Sequence, residues 1–144
     1  MIPRGGVVLR DLDTAQRVGA RRLLQTGLSS RGLLAADAIM ELENVIRALE
    51  QGRRFARDPL EYYVSVFGTP DAHGSWSWRF EGHHLSLHFT VVAGEITVST
   101  PTFMGTNPAE LREGPNKGQR PLGAQEDRAR ALARSLTETQ RGAG

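Results

Sequence analysis

Residues 76–91, WSWRFEGHHLSLHFTV, are the most informative part of the sequence. Large apolar residues alternate with polar ones in both halves of it, which is typical of strands with one buried face. The apolar residues stand at even numbers through Phe80 and at odd numbers from Leu85. Because a straight strand cannot change phase without exposing its apolar set, residues 81–84 must absorb one residue, as a tight turn or as a glycine bulge.

The β-rich region extends to both sides of this stretch. Asp58-Pro59 opens it with turn residues, and residues 62–67 are rich in aromatic and β-branched side chains, which favours a strand over a short helix. Ala93-Gly94 predicts a turn that leads to a strand at 96–100. Residues 58–101 are therefore predicted to form an antiparallel β-meander of three to four strands.

Helical patterns precede the β-rich region. Asp13 begins a capping-box pattern, and Gly27 is a suitable stop for the helix that follows. Ser29 or Ser30 then begins a longer helix, whose apolar residues recur every three or four positions, at Ala35, Ile39, Leu42, Ile46 and Leu49. Because the connection is short, residues 11–52, with a stop at Gly52, are predicted to form an antiparallel helical hairpin.

The C-terminal region returns to helical patterns. Asn107-Pro108 is typical of a helix start, and residues 125–136 have amphipathic spacing. We therefore predict C-terminal helices within 107–136. The predicted fold class is α+β, in which an N-terminal helical hairpin packs on the antiparallel β-meander and a C-terminal helix follows, in a single domain of residues 1–144.

The composition excludes several classes of protein. The chain has no cysteine, which excludes disulfides, zinc–thiolate sites and cysteine nucleophiles. No apolar run is long enough to span a membrane, and the arginines form no basic stripe, so neither a membrane nor a nucleic acid is a predicted partner. Residues 1–10 lack the apolar segment of a signal peptide, which predicts a cytoplasmic location for the chain as written. The sequence leaves the oligomeric state open.

Glu81, His83 and His84 are the candidate catalytic and metal-binding residues. Carboxylate and neutral imidazole are ligands for a divalent metal such as zinc, iron or copper. His88 is excluded from this cluster, because four residues of strand separate it from His84 by about 13 Å. Further ligands would come from elsewhere in the chain, namely from Glu41, Glu43 or the turn at Asp58. Two alternatives stay open, a metal-free acid–base or binding role for the histidines, and a purely structural one.

The sequence supports two classes of function and assigns no reaction. In the first, the chain is a metal-dependent or histidine-dependent enzyme, and Arg79 orients an anionic group of a small-molecule substrate. In the second, it is a non-catalytic ligand-binding or interaction domain, in which Trp76 and Trp78 form an aromatic platform.

The motifs of the chain, taken in order, resemble those of a known family. They are Gln16-Arg17, Leu42-Glu43, Asp58-Pro59, Phe67-Gly68-x-Pro70, Trp76-x-Trp78-Arg79, Glu81-Gly82-His83-His84 and Gly105-x-Asn107-Pro108. Together they resemble an uncharacterised bacterial domain-of-unknown-function family, whose hallmark is Trp-x-Trp-Arg-x-Glu-Gly-His-His. The resemblance implies no established activity. It implies longer members that often begin with an export signal, so we expect this chain to be a partial member, exported if it is truncated at its N-terminus.

Overall fold

The computed structural model describes residues 4–50 and 57–143, apart from the side chain of Leu49. The predicted end of the second helix at Gly52 lies outside the described residues. Contacts divide the chain into two compact units, Met1–Thr106 and Asn107–Gly144, and each is described by itself. The single domain over residues 1–144 stays a prediction.

The first unit contains a sheet of six strands. These are β1 (Val7–Val8), β2 (Tyr63–Phe67), β3 (Ser75–Glu81), β4 (Leu85–Val92), β5 (Glu95–Val98) and β6 (Thr102–Met104). Neighbouring strands are antiparallel in the order β1-β2-β3-β4-β5, and β6 also pairs with β4. The predicted α+β class is confirmed, with more strands than the three to four predicted. Strands as short as β1 and β6 carry too few residues for alternation to reveal them.

The phase break in the sequence is a tight turn. The backbone N–H of Gly82 donates to the carbonyl of Leu85 at 2.7 Å, which closes the β3–β4 hairpin over residues 83–84. Across the hairpin, Trp78 lies opposite Phe89 and Phe80 opposite Leu87. The even-numbered apolar residues of β3 and the odd-numbered ones of β4 therefore share one face of the sheet, as the alternation predicted.

The predicted strand at 96–100 ends earlier than expected, at Val98. The chain bends at residues 99–101 and continues as β6, and both pieces pair with β4. Pro101 has no N–H to give to a ladder, so the interruption falls where the sequence contains proline.

Two helices cover the apolar face of the sheet. They are α1 (Thr14–Gly27) and α2 (Ser30–Glu50), and α2 contacts both α1 and β4. The predicted capping box is present, since the side chains of Asp13 and Gln16 each accept from the other's backbone N–H. A Cβ atom at Gly27 would stand 2.5 Å from the ring of Phe89, so this glycine lets the end of α1 meet the sheet.

The core of the first unit lies between these helices and the sheet. Trp78 is only 1% exposed and stacks on Phe89, with ring centroids 4.2 Å apart. The other largest fully buried side chains are Tyr62, Leu24, Ile39, Leu85 and Leu87. Because strand residues alternate between faces, the opposite face of β3 carries Arg79 and Glu81.

The second unit contains α3 (Gly123–Ser135) and α4 (Glu138–Arg141). The amphipathic spacing at 125–136 predicted this helix, which begins two residues earlier, at Gly123. The predicted helix start at Asn107-Pro108 is wrong, because residues 107–110 are bends and the described chain has no helix before Gly123 in this unit.

Candidate functional site

The turn of the β3–β4 hairpin places His83 and His84 side by side. Their ring centroids are 4.2 Å apart and the rings meet edge to face. The carbonyl of His84 accepts from the N–H of Gly105 at 2.8 Å, which ties the turn to the segment after β6. A Cβ atom at Gly82 would stand 2.3 Å from the Tyr62 ring, so only glycine lets this turn lie against Tyr62.

Arg57 is a buried arginine that forms a hydrogen bond to the turn. It is 6% exposed, and its Nε and Nη2 atoms each donate to one oxygen of Glu50 at 3.1 Å. Its Nη1 atom donates to Nε2 of His83 at 2.8 Å. A guanidinium has no acceptor and keeps its proton, so Nε2 of His83 must be the unprotonated nitrogen. The contact therefore fixes His83 as the neutral tautomer, with its hydrogen on Nδ1.

The electrostatics around His83 agree with this tautomer. The residue is exposed, but its Nε2 edge faces the buried Arg57. The pKa of His83 is lowered to about 4, first by burial, then by the charge that His84 carries when it is protonated, and then by the charges of Arg57 and Arg4. His83 is therefore neutral at pH 7.

His84 is half-buried and also neutral at pH 7. Burial, and then the charge of Arg57, hold the pKa of His84 below its usual value of 6.5. Its Nδ1 atom is buried and has no hydrogen-bond partner among the described residues. His84 is thus a neutral imidazole with an enclosed Nδ1 atom, beside one whose tautomer is fixed.

Glu43 lies behind Arg57, on α2. It is 2% exposed, and its Oε2 atom is 3.9 Å from Nη1 of Arg57. Its Oε1 atom is buried and finds no hydrogen-bond partner in the part of the chain that the structure describes. Burial raises the pKa of Glu43; Arg57 opposes this shift, while Glu50 adds to it.

Tyr62 is a further buried polar residue, and its ring lies against Gly82 of the turn. It is fully buried, its ring stacks on Phe80, and its hydroxyl has no partner among the described residues. Burial, and then the charge of Glu43, raise the pKa of Tyr62. Buried polar atoms without partners are uncommon in native proteins. Here three of them occur near the hairpin turn: Glu43 lies beside Arg57, the Tyr62 ring lies against Gly82, and His84 belongs to the turn itself.

The structure separates Glu81 from the histidines. Its Oε1 atom pairs with Nη2 of Arg79 at 2.9 Å, and the Arg79 guanidinium lies over the Phe67 ring. Among the described residues, no three histidine, aspartate or glutamate side chains are grouped as a metal would require. Nε2 of His83 is also already occupied by Arg57. The zinc, iron or copper site on Glu81, His83 and His84 therefore stays a prediction, without a third grouped ligand among the described residues.

The other predicted residues lie away from the hairpin turn. Trp78 belongs to the core and Trp76 is half-buried, so the two rings do not form an exposed platform. His88 lies opposite Arg79 and contacts Ser86 through Nε2 at 3.2 Å, apart from the turn as its spacing predicted. Among the further ligands that the sequence suggested, Glu41 accepts a hydrogen bond from Asn44, and Asp58 pairs with Arg10. Glu43 is the one of the three that lies beside Arg57.

Sequence reasoning missed Arg57, Glu50 and Tyr62 as site residues. One signal pointed to them. Glu43 follows Ile39 by four positions and precedes Ile46 by three, so helical spacing places it on the apolar side of α2. A carboxylate buried on such a face needs a cation or a hydrogen-bond donor from elsewhere in the fold.

Comparisons with known proteins give one match. The family model described as "Protein of unknown function (DUF3500)" matches residues 1–144. The predicted resemblance to a domain-of-unknown-function family is thereby confirmed, while the partial membership stays a prediction. No curated protein and no solved structure matches the chain. None of the described helices is long and apolar enough to cross a membrane.

Proposed function

The chain belongs to the DUF3500 family, and we propose that it is an acid–base enzyme that binds a small polar molecule at the tip of the β3–β4 hairpin. One observation carries the proposal, the hydrogen bond from Arg57 to Nε2 of His83. A buried cation that fixes the tautomer of an exposed histidine orients the ring and determines which of its nitrogens can donate a hydrogen bond.

The two histidines take different roles. His83 donates from Nδ1 to an oxygen of the bound molecule. His84 is neutral at pH 7 and, because its Nδ1 atom is buried, accepts a proton at Nε2 from that molecule or from a water attacking it. His84 then becomes an imidazolium, and the negative charge left on the oxygen is stabilised by the Nδ1–H of His83 and by the charge of Arg57 behind it.

The contacts favour a reaction without a metal at this site. Arg57 occupies the His83 nitrogen that faces the cluster, and its permanent positive charge repels a divalent cation there. Glu81, the last residue of β3, pairs with Arg79. The alternative of a ligand platform on Trp76 and Trp78 has less support, because Trp78 is buried.

Hydrolysis of p-nitrophenyl acetate tests the proposal, since this activated ester needs only a proton acceptor and an oxyanion donor. We expect saturable hydrolysis by the protein, with kcat lower by about 10²-fold in His84→Ala, as expected for loss of general acid–base catalysis. Chelators should leave the rate unchanged.

The matched control is His73→Ala, because His73 is exposed in the loop before β3 and contacts none of the site residues through its side chain in the described structure. Its rate should equal that of the unmodified protein. Equal rates in both alanine variants would remove His84 from the mechanism, and loss of activity with chelator would reinstate a metal.

A further inference from the structure

The short strand β6 lies beside the histidine turn as well as beside β4. Its last residue, Met104, is opposite Leu85, the first residue of β4. One residue further along the chain, the N–H of Gly105 donates to the carbonyl of His84 at 2.8 Å. The ladder between the two strands therefore continues past the start of β4, and its last hydrogen bond is made to His84 of the turn.

This hydrogen bond holds His84 on the side away from β3. On the β3 side, the N–H of Gly82 donates to the carbonyl of Leu85, which closes the hairpin and leaves the carbonyl of His84 unused. Among the described residues, Gly105 is the one donor that reaches the His84 carbonyl. Because φ and ψ are the soft dihedrals of a backbone, loss of this bond would let the backbone of His84 turn, and the ring would turn with it.

The orientation of the ring decides the environment of the His84 nitrogens. Nδ1 is buried, and the ring meets that of His83 edge to face, with centroids 4.2 Å apart. Burial is the first cause that holds the pKa of His84 below 6.5. A turn of the backbone at His84 would expose Nδ1 to water and would displace Nε2, the atom that accepts the proton in the proposed reaction.

Gly105 allows its N–H and its side chain to be changed separately. Its φ is outside the left-handed region, so alanine is not strained at this position. A Cβ atom at Gly105 would stand 2.8 Å from Cζ of Phe103, which shows that the Phe103 ring lies across this glycine. Phe103 is 53% exposed, so its ring can move aside for a methyl group while the N–H stays in place.

We propose that Gly105 is a positioning residue of the acid–base site, whose N–H holds the carbonyl of His84 and thereby keeps the imidazole in its half-buried orientation. The inference rests on the proposed function of His84, and it adds the segment after β6 to the parts of the fold that serve the site. A displacement of about 1 Å at a catalytic group can lower the rate about 10²-fold, so one backbone hydrogen bond is enough for this role.

Gly105→Pro compared with Gly105→Ala tests the inference. Proline removes the N–H, and Met104 before it lies in a strand, the conformation that proline favours in the preceding residue. Alanine keeps the N–H. In a titration followed by nuclear magnetic resonance, the pKa of His84 should rise towards 6.5 in Gly105→Pro and stay lowered in Gly105→Ala. In Gly105→Pro, kcat for p-nitrophenyl acetate should fall at least about tenfold.

Thr106→Pro is the matched control for the proline itself, because the N–H of Thr106 donates no hydrogen bond within the described structure. The pKa of His84 and kcat should both match those of the unmodified protein. Circular dichroism shows whether each variant keeps the fold. Amide hydrogen exchange of the unmodified protein needs no variant, and the Gly105 amide should exchange at least about tenfold more slowly than that of Thr106. If Gly105→Pro does not fold, this exchange rate decides.

Three results would overturn the role of Gly105. They are an unchanged pKa of His84 in Gly105→Pro, an equal shift in Gly105→Ala, and a Gly105 amide that exchanges as fast as that of Thr106. The proposed function fails separately. If the pKa of His84 shifts as expected and the unmodified protein does not hydrolyse the ester, the hold of Gly105 on His84 is supported and the acid–base function is overturned.

Discussion

Two arginine–carboxylate clusters, one in each unit, have the same chemistry in different surroundings. In the first unit, Arg57 pairs with Glu50 at 3.1 Å and lies 3.9 Å from Glu43. In the second, Arg120 pairs with Glu126 at 2.9 Å and with Asp127 at 2.7 Å. The distances of the second cluster are shorter. The side chain of Arg57 is 6% exposed, however, while that of Arg120 is 31% exposed and that of Asp127 61%.

The difference shows that burial, more than distance, decides what such a cluster does. Water and salt screen the pairs of Arg120, and two long side chains lose entropy when they hold one geometry. At Arg57 the Glu43 carboxylate is withdrawn from water, since its side chain is 3% exposed, and the guanidinium compensates part of that cost. A buried cation that is also bonded to His83 can control a titrating group. The exposed Arg120 lowers the pKa of Glu126 and of Asp127 through its hydrogen bonds, but water screens these pairs and they contribute little to stability.

The largest expected effect is that of Arg57→Met. It leaves the buried Glu43 without this cation and should lower the free energy of unfolding by about 3–5 kcal/mol. Urea denaturation followed by tryptophan fluorescence measures it. Adding Glu43→Gln to Arg57→Met should recover part of the loss, because it removes the charge that Arg57 compensated. A loss below about 1 kcal/mol would place this cluster in the class of surface pairs.

Gly82→Ala tests the contact that positions the hairpin turn. Its Cβ atom would stand 2.3 Å from a Tyr62 ring that cannot move freely within the core. Overpacking of this kind costs about 1–3 kcal/mol, measurable by the same denaturation. Gly19→Ala is the control, since its Cβ atom meets open space on a helix and should stabilise the protein slightly. Equal stabilities of the two variants would contradict the close approach of Gly82 to Tyr62.

A smaller effect is expected from acidification. The pKa of His83 is about 4 in the folded protein, against 6.5 for the free side chain. Between these values the unfolded chain binds more protons, so stability is lost as the pH falls from about 6.5 to about 4. Denaturation midpoints measured across this interval test the sign.

His83→Gln isolates the contribution of His83 to that pH dependence. Glutamine keeps an acceptor for Arg57 but does not titrate. The neighbouring groups contribute to both proteins, including Glu43, whose raised pKa acts in the opposite direction, and His84, whose lowered pKa acts in the same direction. The free energy of unfolding of the unmodified protein should therefore fall relative to that of His83→Gln as the pH falls from 6.5. A constant difference across the interval would contradict the account.

The smallest effect is expected for Arg120→Gln. Although its ion pairs are the shorter ones, they are exposed, and their removal should not shift the denaturation midpoint beyond experimental error. Screening of these ion pairs by high salt should likewise leave the free energy of unfolding of the second unit unchanged. A loss of stability as large as that of Arg57→Met would mean that distance, and not burial, sets the strength of these clusters.

The parts of the fold that sequence predicted depend on residues close together in the chain. Alternation and its phase break locate the β3–β4 turn, and the capping box at Asp13 locates the start of α1. These signals need only neighbours within four residues. The short strand β6 escaped prediction because its residues follow a proline and are too few for a periodic pattern.

The candidate site was predictable only in part, since its members come from distant segments. His83 and His84 were identified because they are adjacent in a turn. Arg57 is 26 residues from His83, and nothing in the local pattern around it indicates which side chain it meets. Glu43 carried the one usable signal, a carboxylate on the apolar side of a helix. Such a residue predicts a buried partner but not the identity of that partner.

Nuclear magnetic resonance of the imidazole nitrogens shows directly whether Arg57 fixes the tautomer of His83. Long-range proton–nitrogen correlation spectra of the uniformly labelled protein, assigned with His83→Gln, report the tautomer and the charge of each ring. The account predicts that His83 at pH 7 is neutral with its hydrogen on Nδ1 and titrates near pH 4. A hydrogen on Nε2, or a pKa of His83 at its usual value near 6.5, would mean that Arg57 does not control this histidine.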